Sequence, residues 1–289
     1  MPLKTIVAAL FEYGLVALGW ILIWRLQFSA KAREKRKYAP ATLPRWPVDC
    51  PSFGLASLCV CLGWFAASVS LAQLIHHLPS LKTDEGLLAI FSGMLSQLGL
   101  LLGAIAGMSY LRKNNPRASL NEPTPRPNPS IAKIVTAGFT TFAITVSIVV
   151  PVQWLWEQLL ILLHLPTTRQ EMVEIFFRTA SPTRVAMLAG IAVLMAPVTE
   201  ELVFRGGLFR FLRDRTPRWI ALALPALIFA GLHVNPQTLD GLITLAPLTA
   251  FSVIFSLAYE RTGRIAVVMI AHALFNLHTV IFLLLGLGK

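Results

Sequence analysis

Six polar residues in the last third of this chain stand out because almost everything around them is apolar. The stretch Ala196-Pro197-Val198-Thr199-Glu200-Glu201-Leu202-Val203-Phe204-Arg205-Gly206-Gly207 puts two carboxylates and a guanidinium inside a run, about Val185 to Leu212, that otherwise reads as a membrane-spanning helix. An ionisable side chain at bilayer depth costs at least about 2.5–3.5 kcal/mol on the insertion scale, so such groups are rare and usually functional. Helix geometry sorts the three. Glu201 and Arg205 are four residues apart, face the same way and can pair. Glu200 is turned about a third of a revolution away, outside that pairing, and needs a reason of its own. Two further apolar segments carry Phe229-Ala230-Gly231-Leu232-His233 and His272-Ala273-Leu274-Phe275-Asn276. The spacing of four puts His272 and Asn276 on one helix face. Taken singly, each histidine has a plainer account as a polar group bonded to a neighbouring helix. Taken together, a carboxylate, two imidazoles and an amide supply a general base and a set of hydrogen-bond donors. Those are the parts needed to add water to a carbonyl.

The elements that must position these groups follow from composition. Of the 289 residues, 55% are hydrophobic and 13% are charged, with a mean hydropathy of +0.67. A soluble domain carries about a quarter charged residues, so this is an all-α, polytopic membrane protein. About eight transmembrane helices are expected, at Ile6–Leu26, Phe53–Ile75, Leu87–Leu111, Ile134–Leu155, Val185–Leu212, Trp219–Val234, Leu239–Tyr259 and Ile265–Leu287. Each is near the roughly 20 residues a span needs. Residues 1–130 are read as three N-terminal membrane helices with basic and Pro-rich cytosolic loops. Residues 131–289 hold helices four to eight, with the chemistry-bearing core from about residue 185. Pro151 is expected to disrupt the fourth helix, with Trp154, Trp156, Leu159, Leu160 and Leu163 beyond it lying at the membrane interface.

The net charge of +11 raises nucleic acid as a partner, and the placement of the charges removes it. Of the 25 lysines and arginines, 18 fall in the loops after spans one, three, five and seven, and 6 on the opposite side; Arg205 lies in the membrane. That asymmetry is the positive-inside signature, with the basic loops cytosolic and both termini outside. The lipid bilayer is thus the partner of the basic charge, with Lys31 to Pro51 a juxtamembrane contact for anionic lipid. Asn114 to Ser130, with Pro116, Pro123, Pro125, Pro127 and Pro129, reads as an extended linker. Cys50, Cys59 and Cys61 have no metal or disulfide spacing, and Cys59 and Cys61 are expected as small buried hydrophobes.

Three motifs in order on successive hydrophobic segments, Glu200-Glu201-x-x-x-Arg205, Phe229-x-x-x-His233 and His272-x-x-x-Asn276, resemble the CPBP family of intramembrane glutamic endopeptidases, which includes the CAAX prenyl endoproteases. The resemblance covers about the C-terminal third. It implies that Glu200 and His233 activate a water, that His272 and Asn276 stabilise the tetrahedral oxyanion, and that Glu201 and Arg205 support the site. It also implies no cofactor, no covalent acyl-enzyme, and a membrane-associated peptide or protein substrate. A zinc-dependent intramembrane metalloprotease is the alternative chemistry, since Glu and His are zinc ligands, although there is no His-Glu-x-x-His and an amide is an uncommon ligand. A non-enzymatic transporter or partner-binding protein would use the same buried groups, but no internal repeat supports a transporter. A bacterial inner membrane is the expected location.

One tension comes with this reading. At about 1.5 Å per residue, Glu200 lies roughly 18 Å and His233 roughly 21 Å from the cytosolic side, but His272 only about 10 Å. Pro197 and Pro225 allow bends that narrow the spread. The topology is testable with reporter fusions: those after Lys37, Pro125 and Arg215 should read cytosolic, and one after Lys289 external. A cytosolic C-terminus would break the eight-span reading.

Overall fold

A computed structural model of the chain describes residues 3–37, 43–114, 129–168, 171–179 and 181–286. The Pro-rich segment 115–128 lies outside the described residues. Among those described, the elements are helical: α1 Leu3–Phe28, α2 Ala30–Lys37, α3 Cys50–His77, α4 Glu85–Asn114, α5 Ile131–Leu162, α6 Glu171–Arg178, α7 Pro182–Arg213, α8 Arg218–Gly231, α9 Leu245–Thr262 and α10 Ile265–Leu284. Seven of these have the length and apolarity of membrane spans. The helix expected at Trp219–Val234 is the exception. Its 14 residues rise about 21 Å, short of a hydrocarbon core about 30 Å thick, because α8 stops at Gly231 and irregular chain follows to Gly241.

The helices fall into two compact units that interleave along the chain, one of residues 1–43, 129–171 and 222–289, the other of residues 44–128 and 172–221. The first is organised around α5, against which α1, α9 and α10 all pack. Phe142, Ala143, Thr145, Val146 and Val149 of α5 are buried as a result. Pro151 does not break this helix, contrary to expectation: α5 runs through it to Leu162. One missing backbone donor is tolerable in a helix held by three neighbours. Trp156 beyond it is held by its indole N–H, which donates to the Leu242 carbonyl at 2.9 Å. The turn between α9 and α10 closes on Gly263, at φ +65°, whose amide bonds the Tyr259 carbonyl at 2.8 Å. Only glycine takes that left-handed cap without strain.

The second unit is organised around α4, which packs against α3 on one side and along α7 on the other. The α3–α4 contact is backbone against backbone. A Cβ on Gly103 would come within 2.5 Å of the Cys59 carbonyl, and one on Gly99 within 2.3 Å of the Gly63 carbonyl. Small residues let membrane helices approach where hydrophobicity supplies no drive. Cys59 is half-buried and Cys61 exposed, so the expectation that both are buried fails: on α3, Cys61 faces outward with the lipid-facing Leu62 and Phe65.

A strap before α3 is packed on the end of α7. Trp46 and Val48 are buried, the Trp46 amide donates to the Asp214 carboxylate, and the Arg215 guanidinium donates to the Val48 carbonyl. Phe53 stacks on Phe211 at 3.8 Å, and the Arg210 guanidinium lies 5.1 Å over the Trp46 ring. Part of the segment expected to contact lipid is therefore committed to the protein.

The helix hairpin makes a direct prediction. Gly103→Val should lower thermal stability in detergent by about 1–3 kcal/mol or more, since backbone blocks relief. Gly54→Ala, on the same helix pair but with open space around it, should not. Equal melting temperatures for the two variants would refute the backbone contact.

Candidate active site

The carboxylates sit on a helix that is not uniformly α. Within α7, a π-helical turn at Ile191–Met195 precedes an α segment, Ala196–Glu201, and a second π segment, Leu202–Phe209, follows it. Pro197 explains the first. It has no N–H to give, and its ring crowds the carbonyl four residues back, which a widened turn relieves. Gly206 and Gly207 lie in the second, where a Cβ on Gly207 would meet only the Leu202 carbonyl at 3.6 Å. Gly207 thus has open space around it rather than a closely packed neighbouring helix. π-Turns inside α-helices recur at functional sites, where they re-aim side chains.

Glu201 and Arg205 pair as their spacing requires. Arg205 Nη1 donates to Glu201 Oε1 at 2.9 Å, with the side chains 1% and 0% exposed. Glu200 is half-buried on the same helix. Thr199, fully buried beside it, bonds Gln97 of α4 through its hydroxyl. Sequence reasoning passed over both; the signal was an amide in the middle of an otherwise apolar span.

The histidines lie in the other unit. His233 is not on the helix: α8 ends at Gly231, and His233 stands in the turn after it, its amide bonded to the Ala230 carbonyl at 3.1 Å. Its Nδ1 is 2.7 Å from the Phe229 carbonyl oxygen. A carbonyl can only accept, so Nδ1 carries the proton, and in the neutral ring Nε2 keeps its lone pair. That is the tautomer a water-activating base needs. His272 on α10 is 3% exposed and boxed by aromatic rings: Phe251 at 4.9 Å, Phe255 at 5.7 Å and Phe229 at 6.4 Å between centroids, each near perpendicular. Phe229 also meets the His233 ring at 4.9 Å. One phenylalanine thus stands between both imidazoles and brings them into one cluster. The aromatic box on α9 was not foreseen. Asn276 lies one turn beyond His272 and is half-buried. His278 is turned elsewhere, against Phe282, Phe142 and Phe11 at 4.4, 6.1 and 6.4 Å.

Among the described residues, no group of three His, Cys, Asp or Glu side chains is placed to hold a metal ion. Chemically, the first unit offers an imidazole acceptor and two groups with N–H donors, and the second offers a half-buried carboxylate beside a buried ion pair.

The ion pair is the part whose loss stability should register. Glu201→Ala or Arg205→Ala strands the other charge in a dry interior, at a cost on the order of 3–5 kcal/mol. Arg178→Ala removes an exposed pair with Glu174, at 3.0 Å and 64% and 46% exposure, and should cost at most about 1 kcal/mol. Thermal unfolding of detergent-solubilised variants reads this out. Full stability in both buried single variants would mean that the pair is not what holds this turn.

Comparison with known proteins covers the same segment. Residues 182–278 match the family model described as Type II CAAX prenyl endopeptidase Rce1-like. Over 97 residues the chain is 30% identical to the Bacillus subtilis (strain 168) protein named "Putative membrane peptidase YdiL". The aligned segment is 34% of this chain and 37% of that protein. No solved structure matches the chain. The matched segment starts with α7, ends within α10, contains all six motif residues and passes from one unit to the other at Leu222. The C-terminal third of this polytopic membrane protein is therefore similar to the Rce1-like, type II CAAX prenyl endopeptidases, consistent with the CPBP family its motifs resemble.

Proposed function

We propose that this protein is an intramembrane endopeptidase of the glutamic type, hydrolysing a peptide bond in a membrane-associated protein or peptide. The observation that carries the reading is the pairing pattern of the polar groups. Glu201 is committed to Arg205, and His233 Nδ1 is committed to the Phe229 carbonyl, which leaves Nε2 as an acceptor. In this account Glu200 and His233 share one water. As its oxygen attacks the scissile carbonyl carbon, its proton passes to this pair. The negative charge moves to the carbonyl oxygen, where N–H donors of His272 and Asn276 stabilise it. Collapse of the tetrahedral intermediate breaks the C–N bond, and the held proton goes to the departing amine. The products are a carboxylate and an amine, with no bond to the enzyme at any stage.

The family's name points to prenylated CAAX tails. For this chain we propose only the broader class, a segment reaching the site from the bilayer or its cytosolic surface. A bacterial plasma membrane, with the basic loops cytosolic, fits the charge distribution.

The test is initial cleavage rate of a membrane-anchored peptide in liposomes, normalised to folded protein. Glu200→Gln keeps shape and polarity but removes the base, so turnover should be nearly abolished with folded yield unchanged. His233→Ala should resemble it, and the double variant should be little worse than either, because residues acting as a unit are non-additive. His272→Ala or Asn276→Ala should cost about 10²–10³ in rate and leave weak cleavage. Activity should survive a strong chelator. Loss restored by zinc alone would replace the glutamate with a metal mechanism, and near-normal turnover in Glu200→Gln would remove the glutamate altogether.

A further inference from the structure

Gln97 is an amide in the apolar interior of α4, about 18 Å from the Glu85 end and about 25 Å from the Asn114 end. A polar side chain at that depth is costly to keep, and it lies outside the segment that matches the family. Its partner is the hydroxyl of Thr199, which is 1% exposed and immediately precedes Glu200 in the chain. The same hydroxyl lies 3.2 Å from the carbonyls of Met195 and Ala196, the junction where the π-turn returns to α-helix. One atom therefore ties the end of that turn to the neighbouring helix.

A second tie lies nearer the start of both helices. Arg184 Nη1 donates to Asp84 Oδ1 at 2.8 Å. Between the two ties α4 advances from residue 84 to 97 and α7 from 184 to 199, so α7 carries two more residues over a shared span. Straight α-helices would differ by about 3 Å there. The π-turn at Ile191–Met195 takes up about half of that excess, because a wider turn holds one extra residue without the matching rise. Gly93 of α4 faces Ile191 at this height, where even a Cβ would make only ordinary contact with its side chain, at 3.4 Å. The turn is thus held open between two fixed points, and Glu200 is the residue just past the second.

We propose that Gln97 is a positioning residue for the proteolytic site, acting through Thr199 to set the depth and rotation of the α7 turn that carries Glu200. This rests on the proposed role of Glu200 as the base. Pro197 still opens the turn without the tie, but nothing from α4 then fixes its depth and rotation at Thr199, which lets Glu200 shift along and around the helix axis. A misplacement of about 1 Å in a reacting group costs on the order of 10²-fold in rate.

The test uses full-length protein in liposomes with the membrane-anchored peptide, and Glu200→Gln as a control. Gln97→Met and Thr199→Val keep size and remove the hydrogen bond. Each should lower kcat by about 10- to 100-fold with KM little changed. Thr199→Ser keeps the hydroxyl and should hold kcat near that of the unaltered protein. The double variant Gln97→Met/Thr199→Val should be no slower than the slower single one, since both remove one tie. Should Gln97→Met fail to fold, the contrast between Thr199→Val and Thr199→Ser at equal melting temperature decides alone. Unaltered kcat in Thr199→Val, or losses that multiply in the double variant, would overturn the inference while an inactive Glu200→Gln left the glutamate reading standing. An active Glu200→Gln would bring both down.

Discussion

A carboxylate and a guanidinium sealed from water and lipid alike, Glu201 against Arg205, are the constraint to which the second unit is built. Neither charge is tolerable alone at that depth, and together they are tolerable only while both stay covered. Because they are one helical turn apart, the helix itself brings the two charges together. Covering it is the work of tertiary structure. The flanking Phe204 and Phe209 are buried with it, and α4 lies along α7 with Thr199 and Gln97 in contact. The pair therefore ties the local shape of α7 to its packing, one residue from the carboxylate proposed to do chemistry.

The first unit solves a different problem with different material. Its imidazoles are packed among aromatic rings, and His233 is also held by one backbone carbonyl. His233 stands on irregular chain between α8 and α9, backbone that a membrane protein tolerates only where protein or a cavity covers it. The Nδ1 bond to Phe229 fixes both the ring's direction and its tautomer, and the Phe229 ring passes that order on to His272. A rigid aromatic box is a low-entropy way to hold the proposed oxyanion donor in place.

Much of this was legible from residues alone, for physical reasons. A bilayer leaves a backbone few options, so hydropathy located the long helices well, and the spacing of Glu201 and Arg205 predicted their pairing. The failures share a cause too. The 3.6-residue period is blind to π-turns, so both widened segments of α7 went unread despite Pro197 and the Gly206-Gly207 pair. The apolar run through Val234 hid the end of α8 at Gly231, because hydropathy does not register where backbone hydrogen bonds stop. Pro151 was over-weighted, since packing on three sides outweighs one missing donor. The Trp46 strap and the Gln97–Thr199 bond join residues 168 and 102 positions apart, and no local pattern announces such contacts.

The central claim is that Glu200 and His233 serve one water, and the most direct measurement is of their proximity in a membrane. With Cys50, Cys59 and Cys61 replaced by alanine, the pair Glu200→Cys and His233→Cys would be treated with a short bifunctional thiol reagent. Mass spectrometry would then score the joined peptides. The account predicts efficient joining for this pair and little for Val198→Cys with His233→Cys, since Val198 lies on an exposed part of α7. Two cysteines that each react with a monofunctional reagent yet never join would contradict it.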